Sequence, residues 1–183
     1  MKSSDLLIRQ LLPGDAPAYR AFRLLALAAH PDAFTSDFEE EAQRPQSYTE
    51  ARLAAAPREM LWGAFVGEQL AGMVGLSRET RVKNRHKAAL VGLYVAAGYA
   101  GRGIGRALVD TVLGEAGGSG IERLVLTVTE GNRAACALYQ RAGFITFGCE
   151  PDAIRVKGAS FAKLHMGLQL TLAPEALSSA KAA

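Results

Sequence analysis

The chain has 183 residues, 49% of them hydrophobic, enough to bury one sizeable core and too few for two ordinary domains. Its 21 Lys and Arg against 18 Asp and Glu leave a formal charge of +3 spread along the sequence, which favours anionic ligands weakly and is no nucleic-acid footprint. Two cysteines, Cys136 and Cys149, lack the spacing of a metal site or a disulfide framework, so no metal is expected and a reducing, cytoplasmic setting suits the chain.

Asp5 and Arg9 interrupt the first apolar run before it reaches the length of a secretory leader. Residues 6–12 read as a strand, closed by Pro13-Gly14-Asp15 as a turn and helix cap. The helix that follows carries Tyr19, Phe22, Leu25 and Ala29 at three- and four-residue intervals. It ends at His30-Pro31, because the residue before a proline is pushed out of the helical region. Residues 31–47 show no clean period and read as the least packed part of the domain, and a second short helix over 48–56 stops at Pro57. Residues 60–66 and 69–77 read as strands joined at Gly67-Glu68, a hairpin signal. After a polar turn over 79–87, the run AALVGLYV over 88–95 is apolar on both faces, as a central strand requires. The uncharged stretch over 88–101 has 14 residues and three glycines, short of the roughly 20 apolar residues that span a bilayer, so no membrane partner is expected.

A helix over 103–116 sets Ile104, Leu108 and Val112 on one face, a strand follows over 121–128, and a helix over 132–142 has Asn132 at its N-cap and Gly143 at its C-cap. Two strands, 144–149 and 161–172, complete a single domain over 1–172. The Ala- and Ser-rich tail over 173–183 has little to bury and is expected to fray. The fold class is α/β: a central mixed sheet, antiparallel early and crossed over by helices late, with helices on both faces.

The segment VAAGYAGRGIGRALV places Gly101, Gly103 and Gly105 at alternate positions between a buried strand and a helix. Glycines there let the backbone approach a ligand, while the unsatisfied N–H groups of a helix start attract an anion. A phosphate or pyrophosphate is the expected occupant. The dinucleotide fingerprint fails because Arg106 stands where its third glycine is required, and the Walker pattern fails for want of Gly-Lys-Ser/Thr. Glycines that merely make a tight turn are the bland alternative.

Leu93-Tyr94-Val95, the loop through Gly105 and TVTEGNRAACALYQRAGF together resemble the two acyl-CoA-binding motifs of the GNAT N-acyltransferases. Gly103 and Gly105 fill the family's glycine places, and Ala100 stands where Gln or Arg is usual. IRQLLPGDAPAYRAFRLLAL resembles a GNAT first strand and helix, and HPDAF with GCEP resembles a bacterial-type branch of the family. The resemblance implies a GNAT-like fold and acetyl-CoA as co-substrate. It implies cofactor contacts at Leu93, Tyr94, Val95, Gly101, Arg102, Gly103, Ile104, Gly105, Arg106 and Asn132.

Tyr139 lies two helical turns after Asn132 on the same face. A phenol, with an ordinary pKa near 10, keeps its proton at neutral pH and can serve a departing thiolate, and the resemblance makes Tyr139 the general acid. A core tyrosine and a plain N-cap are the bland alternatives. Where several family members place a glutamate base, this chain has Thr127; Glu79, His86, Glu130 or a water relay are the substitutes. The acidic trio Glu39-Glu40-Glu41 reads either as a wall for an amine cation or as the acid-rich first turn of a helix. The run RETRVKNRHK reads as a solvated turn, since it lacks interleaved aromatics. The expected function is acetyl transfer to a primary amine of a small molecule or peptide. A non-catalytic acyl-CoA-binding regulatory domain is the alternative, with a nucleic-acid module further off; a homodimer stays open.

Overall fold

The computed structural model describes residues 6–170; the tail over 173–183 lies outside them. Seven strands make one sheet in the order β1-β2-β3-β4-β5-β7-β6. They are β1 Leu6–Gln10, β2 Glu59–Val66, β3 Gln69–Arg78, β4 Lys87–Val95, β5 Arg123–Thr129, β6 Ile145–Val156 and β7 Ala159–Gln169. The helices are α1 Ala16–Ala29, α2 Phe38–Gln43, α3 Gln46–Leu53, α4 Ile104–Gly118 and α5 Arg133–Arg141. All neighbours are antiparallel except β4 and β5, as expected of an antiparallel start and a helical crossover.

Two apolar layers sandwich the sheet. On one face, Ile104, Leu108, Val109 and Val112 of α4 and Tyr139 of α5 pack on alternate residues of the central strands, including Val74, Leu90, Leu124 and Leu126. On the other, Tyr19 and Ala26 of α1 and Leu53 of α3 cover Leu61 and Met73, with Tyr94 at the margin. The α1 stripe differs from the one expected: Leu25 is 54% exposed, and Ala16, Tyr19, Arg23, Ala26 and Leu27 form the buried face. Nearly the same spacing fits a stripe one position along, and a charged residue within it hides the true one from a hydrophobicity count.

Residues 31–47 are better tied down than their composition suggests. Asp37 caps α2 by accepting from the backbone N–H of Glu39 (2.8 Å) and Glu40 (3.2 Å), so the acidic trio is the first turn of a short helix. Arg20 donates to the carbonyls of Ala42 (2.7 Å) and Arg44 (2.9 Å), and Thr129 Oγ1 donates to the carbonyl of Asp32 (2.6 Å). The last hairpin also runs further than expected, β6 reaching Val156 with bulges at Thr146/Gly148 and Glu150/Ile154. As the outermost strand, β6 has no need of the period-2 pattern that marks a half-buried one.

The turn before α1 depends on Asp15, whose carboxylate accepts from the Leu12 N–H (2.8 Å) and takes both terminal nitrogens of Arg9 (2.7 and 2.8 Å). The Arg9 hydrogen bond holds the Asp15 carboxyl below its ordinary value, against the opposing effect of burial. A depressed carboxylate stabilises the fold above its unfolded pKa and loses that contribution as pH falls through the folded one. Asp15→Asn should therefore cost about 1 kcal/mol at neutral pH by urea denaturation, with parent and variant converging below about pH 4.

Candidate active site

β4 and β5 pair from Lys87↔Arg123 to Ala89↔Val125 and then part. Gly92, at φ +64°, forms a bulge where the β3–β4 register slips between Met73 and Gly75, bending β4 away from its neighbour. Beyond Ala89 and Val125 the two facing edges carry backbone groups with no ladder partner. The gap widens into a cavity of about 520 Å³, walled by residues 89–93 and 125–129. Asn132, Ala135 and Tyr139 line it from α5, Arg23 and Phe34 from the α1 side, and Phe147, Lys163 and His165 from the last hairpin.

The glycine-loop residues 101–106 are not among those lining the cavity; their link to it is Gly105, which packs against Leu138, next to the lining residue Tyr139. Gly101 and Gly103 have φ of +75° and +79°, and a Cβ at either would meet nothing within 4 Å, so glycine is required by backbone conformation at an open surface. Gly103 is the N-cap of α4, and the first helical bond runs from the Ala107 N–H to its carbonyl (3.0 Å). The N–H groups of Ile104, Gly105 and Arg106 consequently have no intrahelical acceptor and face outward at the positive end of the helix dipole. The Arg106 side chain donates to Asp110 (2.8 Å) and to the Arg141 carbonyl (2.9 Å), and that of Arg102 lies over Tyr99. At Gly105 a Cβ would come within 3.3 Å of Leu138 Cδ2, so this glycine sets the approach of α4 to α5.

Among the other residues singled out in the sequence, Leu93 lines the cavity and Val95 packs in the α4-side core. Tyr94 turns to the opposite face, its ring 5.3 Å from Phe22 and 5.7 Å from His30, and is not among the residues that line the cavity. Asn132 caps α5, its Oδ1 accepting from the Ala135 N–H (3.1 Å), and lines the cavity as well. Tyr139 is 6% exposed, edge-on to Phe144, and its burial holds the phenol well above the ordinary tyrosine value.

Thr127 is a wall of the cavity, whereas Glu79, His86 and Glu130 are not among its lining residues. Its cross-strand partner on β7 is His165, whose Nε2 lies 2.9 Å from Glu150 Oε2. The acidic trio is absent from the lining too. The cavity's charge is instead positive: Arg52 is matched by Glu59 at 2.6 Å, but Arg23 and Lys163 have no carboxylate in contact among the described residues. Lys163 is 5% exposed, donates to Thr35 Oγ1 (2.8 Å), and is held below the ordinary lysine value by burial. Arg23, Lys163 and His165, which line the cavity, are residues that the sequence did not single out. The available signal was an arginine inside an amphipathic stripe and a Lys-x-His on alternate positions of a strand.

The model of the acetyltransferase (GNAT) family matches residues 26–144. A GNAT-family acetyltransferase from Streptococcus pneumoniae is 29% identical, with a TM-score of 0.81 over 90% of this chain and 99% of that one. A ribosomal-protein-alanine N-acetyltransferase from Brucella melitensis is 26% identical, with a TM-score of 0.74 over 90% and 99%. The fold also recurs, at 19% identity and a TM-score of 0.76 over 93% and 97%, in yncA from Salmonella typhimurium, solved with its cofactor acetyl-CoA.

A side chain at position 103 is strained at positive φ and disturbs the row of outward N–H groups. Gly103→Val should weaken the binding of CoA, measured by calorimetry, tenfold or more, about 1.4 kcal/mol. A folded variant with parental affinity would remove the loop from the site.

Proposed function

The chain belongs to the acetyltransferase (GNAT) family, and on that premise we propose that it transfers the acetyl group of acetyl-CoA to the nitrogen of a primary amine. The observation that carries this reading is the cavity between β4 and β5. It runs from Tyr139 and Ala135 of α5 to Arg23 of α1 through the plane of the sheet. Two substrates can meet there from opposite sides. The open N–H groups from Gly101 to Arg106 suit a pyrophosphate, and the unpaired edges of β4 and β5 suit the amide-bearing arm that follows it in CoA. That yncA holds acetyl-CoA in the same fold supports this cofactor.

Acetyl transfer needs a neutral amine, a polarised thioester carbonyl and a proton near the departing sulfur. We assign the last to Tyr139. Because burial raises this phenol while a thiol has an ordinary pKa of about 8.5, complete transfer to the thiolate is uphill. The hydroxyl therefore acts mainly as a hydrogen-bond donor to the charge developing on sulfur. A backbone N–H of β4 around Leu93 to Val95, freed where the strand bends at Gly92, is assigned to the carbonyl oxygen. The amine is kept neutral in two ways. Arg23 and Lys163 disfavour a second cation in the cavity, and His165, held by Glu150 beside Thr127, accepts the proton that a glutamate accepts elsewhere in the family.

Tyr139→Phe keeps the ring and removes the hydroxyl, so kcat should fall roughly 10²-fold while the acetyl-CoA Kd stays nearly constant. The readout is free CoA released with a panel of amines, polyamines, amino acids and peptides. Parental acetyl-CoA binding with no turnover of any amine would instead favour an acyl-CoA-binding regulatory domain. His165→Gln should lower kcat/KM by about 10²-fold at neutral pH, and the deficit should shrink toward the pKa of the amine, where solvent supplies the neutral form. A deficit constant across pH would leave His165 without the role of base.

A further inference from the structure

Arg23 is 7% exposed, lines the cavity and is the charged member of the stripe that α1 buries against the sheet. Its Nη2 donates to Ser36 Oγ (3.1 Å) and its guanidinium lies over Phe34 at 4.7 Å. Nε and Nη1 have no hydrogen-bond partner among the described residues. The nearest carboxylates act on it through space alone, Glu59 being bound to Arg52 and Glu41 facing Arg44. A buried cation with unused donors is costly, and other arginines here are spared that cost: Arg52 is matched by Glu59 and Arg9 by Asp15. Nη1 also lies 3.8 Å from the place of a Cβ on Gly92, so the free donors sit at the bulge where the sheet opens.

Building on the acetyl-transfer reading, we propose that the acceptor carries a carboxylate close to its amine and that Arg23 is the residue that receives it. An anion on Nε and Nη1 supplies the missing partners and is itself desolvated against a matched charge. It also fixes the amine beside Gly92 and Leu93, on the β4 wall. Lys163 of β7, which also lines the cavity, adds to the positive field that an acidic acceptor relieves and a diamine would aggravate. The substrate class is thus an amino acid or a peptide with a nearby free carboxylate, rather than a polyamine or an aminoglycoside.

The test uses free amino acids, each beside its own carboxamide and its decarboxylated amine, with CoA release as readout and acetyl-CoA affinity measured separately. In the parent, the acids should have KM values at least tenfold below those of their amides and amines. Arg23→Met should raise KM for the acids tenfold or more, erase the preference and leave the acetyl-CoA Kd within twofold. Arg23→Lys should keep part of the preference. Since Arg23→Met removes an unpartnered buried charge, the ligand-free variant should melt no lower than the parent. Amides and amines used as well as the acids, or a preference that survives Arg23→Met, would overturn the proposal while leaving acetyl transfer intact. If no compound releases CoA, acetyl transfer itself fails. The carboxylate site is then judged by binding of N-acetyl amino acids against their amides in the presence of CoA, and equal binding to parent and Arg23→Met overturns it.

Discussion

Everything in this molecule that bears on chemistry follows from the parting of two parallel strands. β4 and β5 share three residue pairs, Lys87↔Arg123 to Ala89↔Val125, and are then driven apart by the bend at Gly92. A sheet that stayed zipped would satisfy its own backbone and present a closed apolar surface to both helical layers. Once it opens, unpaired peptide groups line a passage between the two faces, and residues from separate cores, Tyr139 on one side and Arg23 on the other, come to border the same space. Neither strand end has to be flexible for this; one bulge within an otherwise rigid sheet is sufficient.

The parts of the fold legible in the sequence were those with a strong local signature. The Gly67-Glu68 hairpin, the two-sided apolar run of β4, the stripe of Ile104, Leu108 and Val112, and the Asn132 cap and Gly143 stop around α5 each follow from periodicity or from a residue that the local backbone demands. The lengthened β6 and the short α2 lacked such signatures. The first is an outer strand with no buried face to pattern, and the second is a single acid-capped turn held chiefly from outside by Arg20. The site divides in the same way. The glycine loop and Tyr139 proposed for it lie in one contiguous stretch, whereas Arg23, Thr127, Lys163 and His165, which line the cavity, come from three separate elements and meet only in space. Nothing local to His165 announces that Thr127 is its neighbour; that follows from the β5–β7 register.

The charge of the cavity illustrates why composition misleads at this scale. An excess of three cations over a whole chain says almost nothing, and the conspicuous acidic trio is the first turn of α2, outside the cavity lining. What matters is which charges are enclosed. Glu59 is consumed by Arg52 within the wall, so the two remaining buried cations, Arg23 and Lys163, set the sign of the enclosed space. Each hydrogen bonds to a hydroxyl of the short connection after α1, Arg23 to Ser36 and Lys163 to Thr35. That connection, which looked like the loosest part of the sequence, is thereby the piece that holds both cations in place.

The missing side chain at Gly105 has a bearing on how such a protein can change over time. Leu138, the residue nearest to the gap it leaves, immediately precedes Tyr139, so the first turn of α4 touches α5 next to the residue that carries the phenol. Any group larger than hydrogen at 105 pushes at both at once. A substitution at 105 therefore disturbs the proposed anion grip and the proposed hydrogen-bond donor together, whereas substitutions in α1 and the last hairpin, which carry Arg23 and Lys163, need disturb neither.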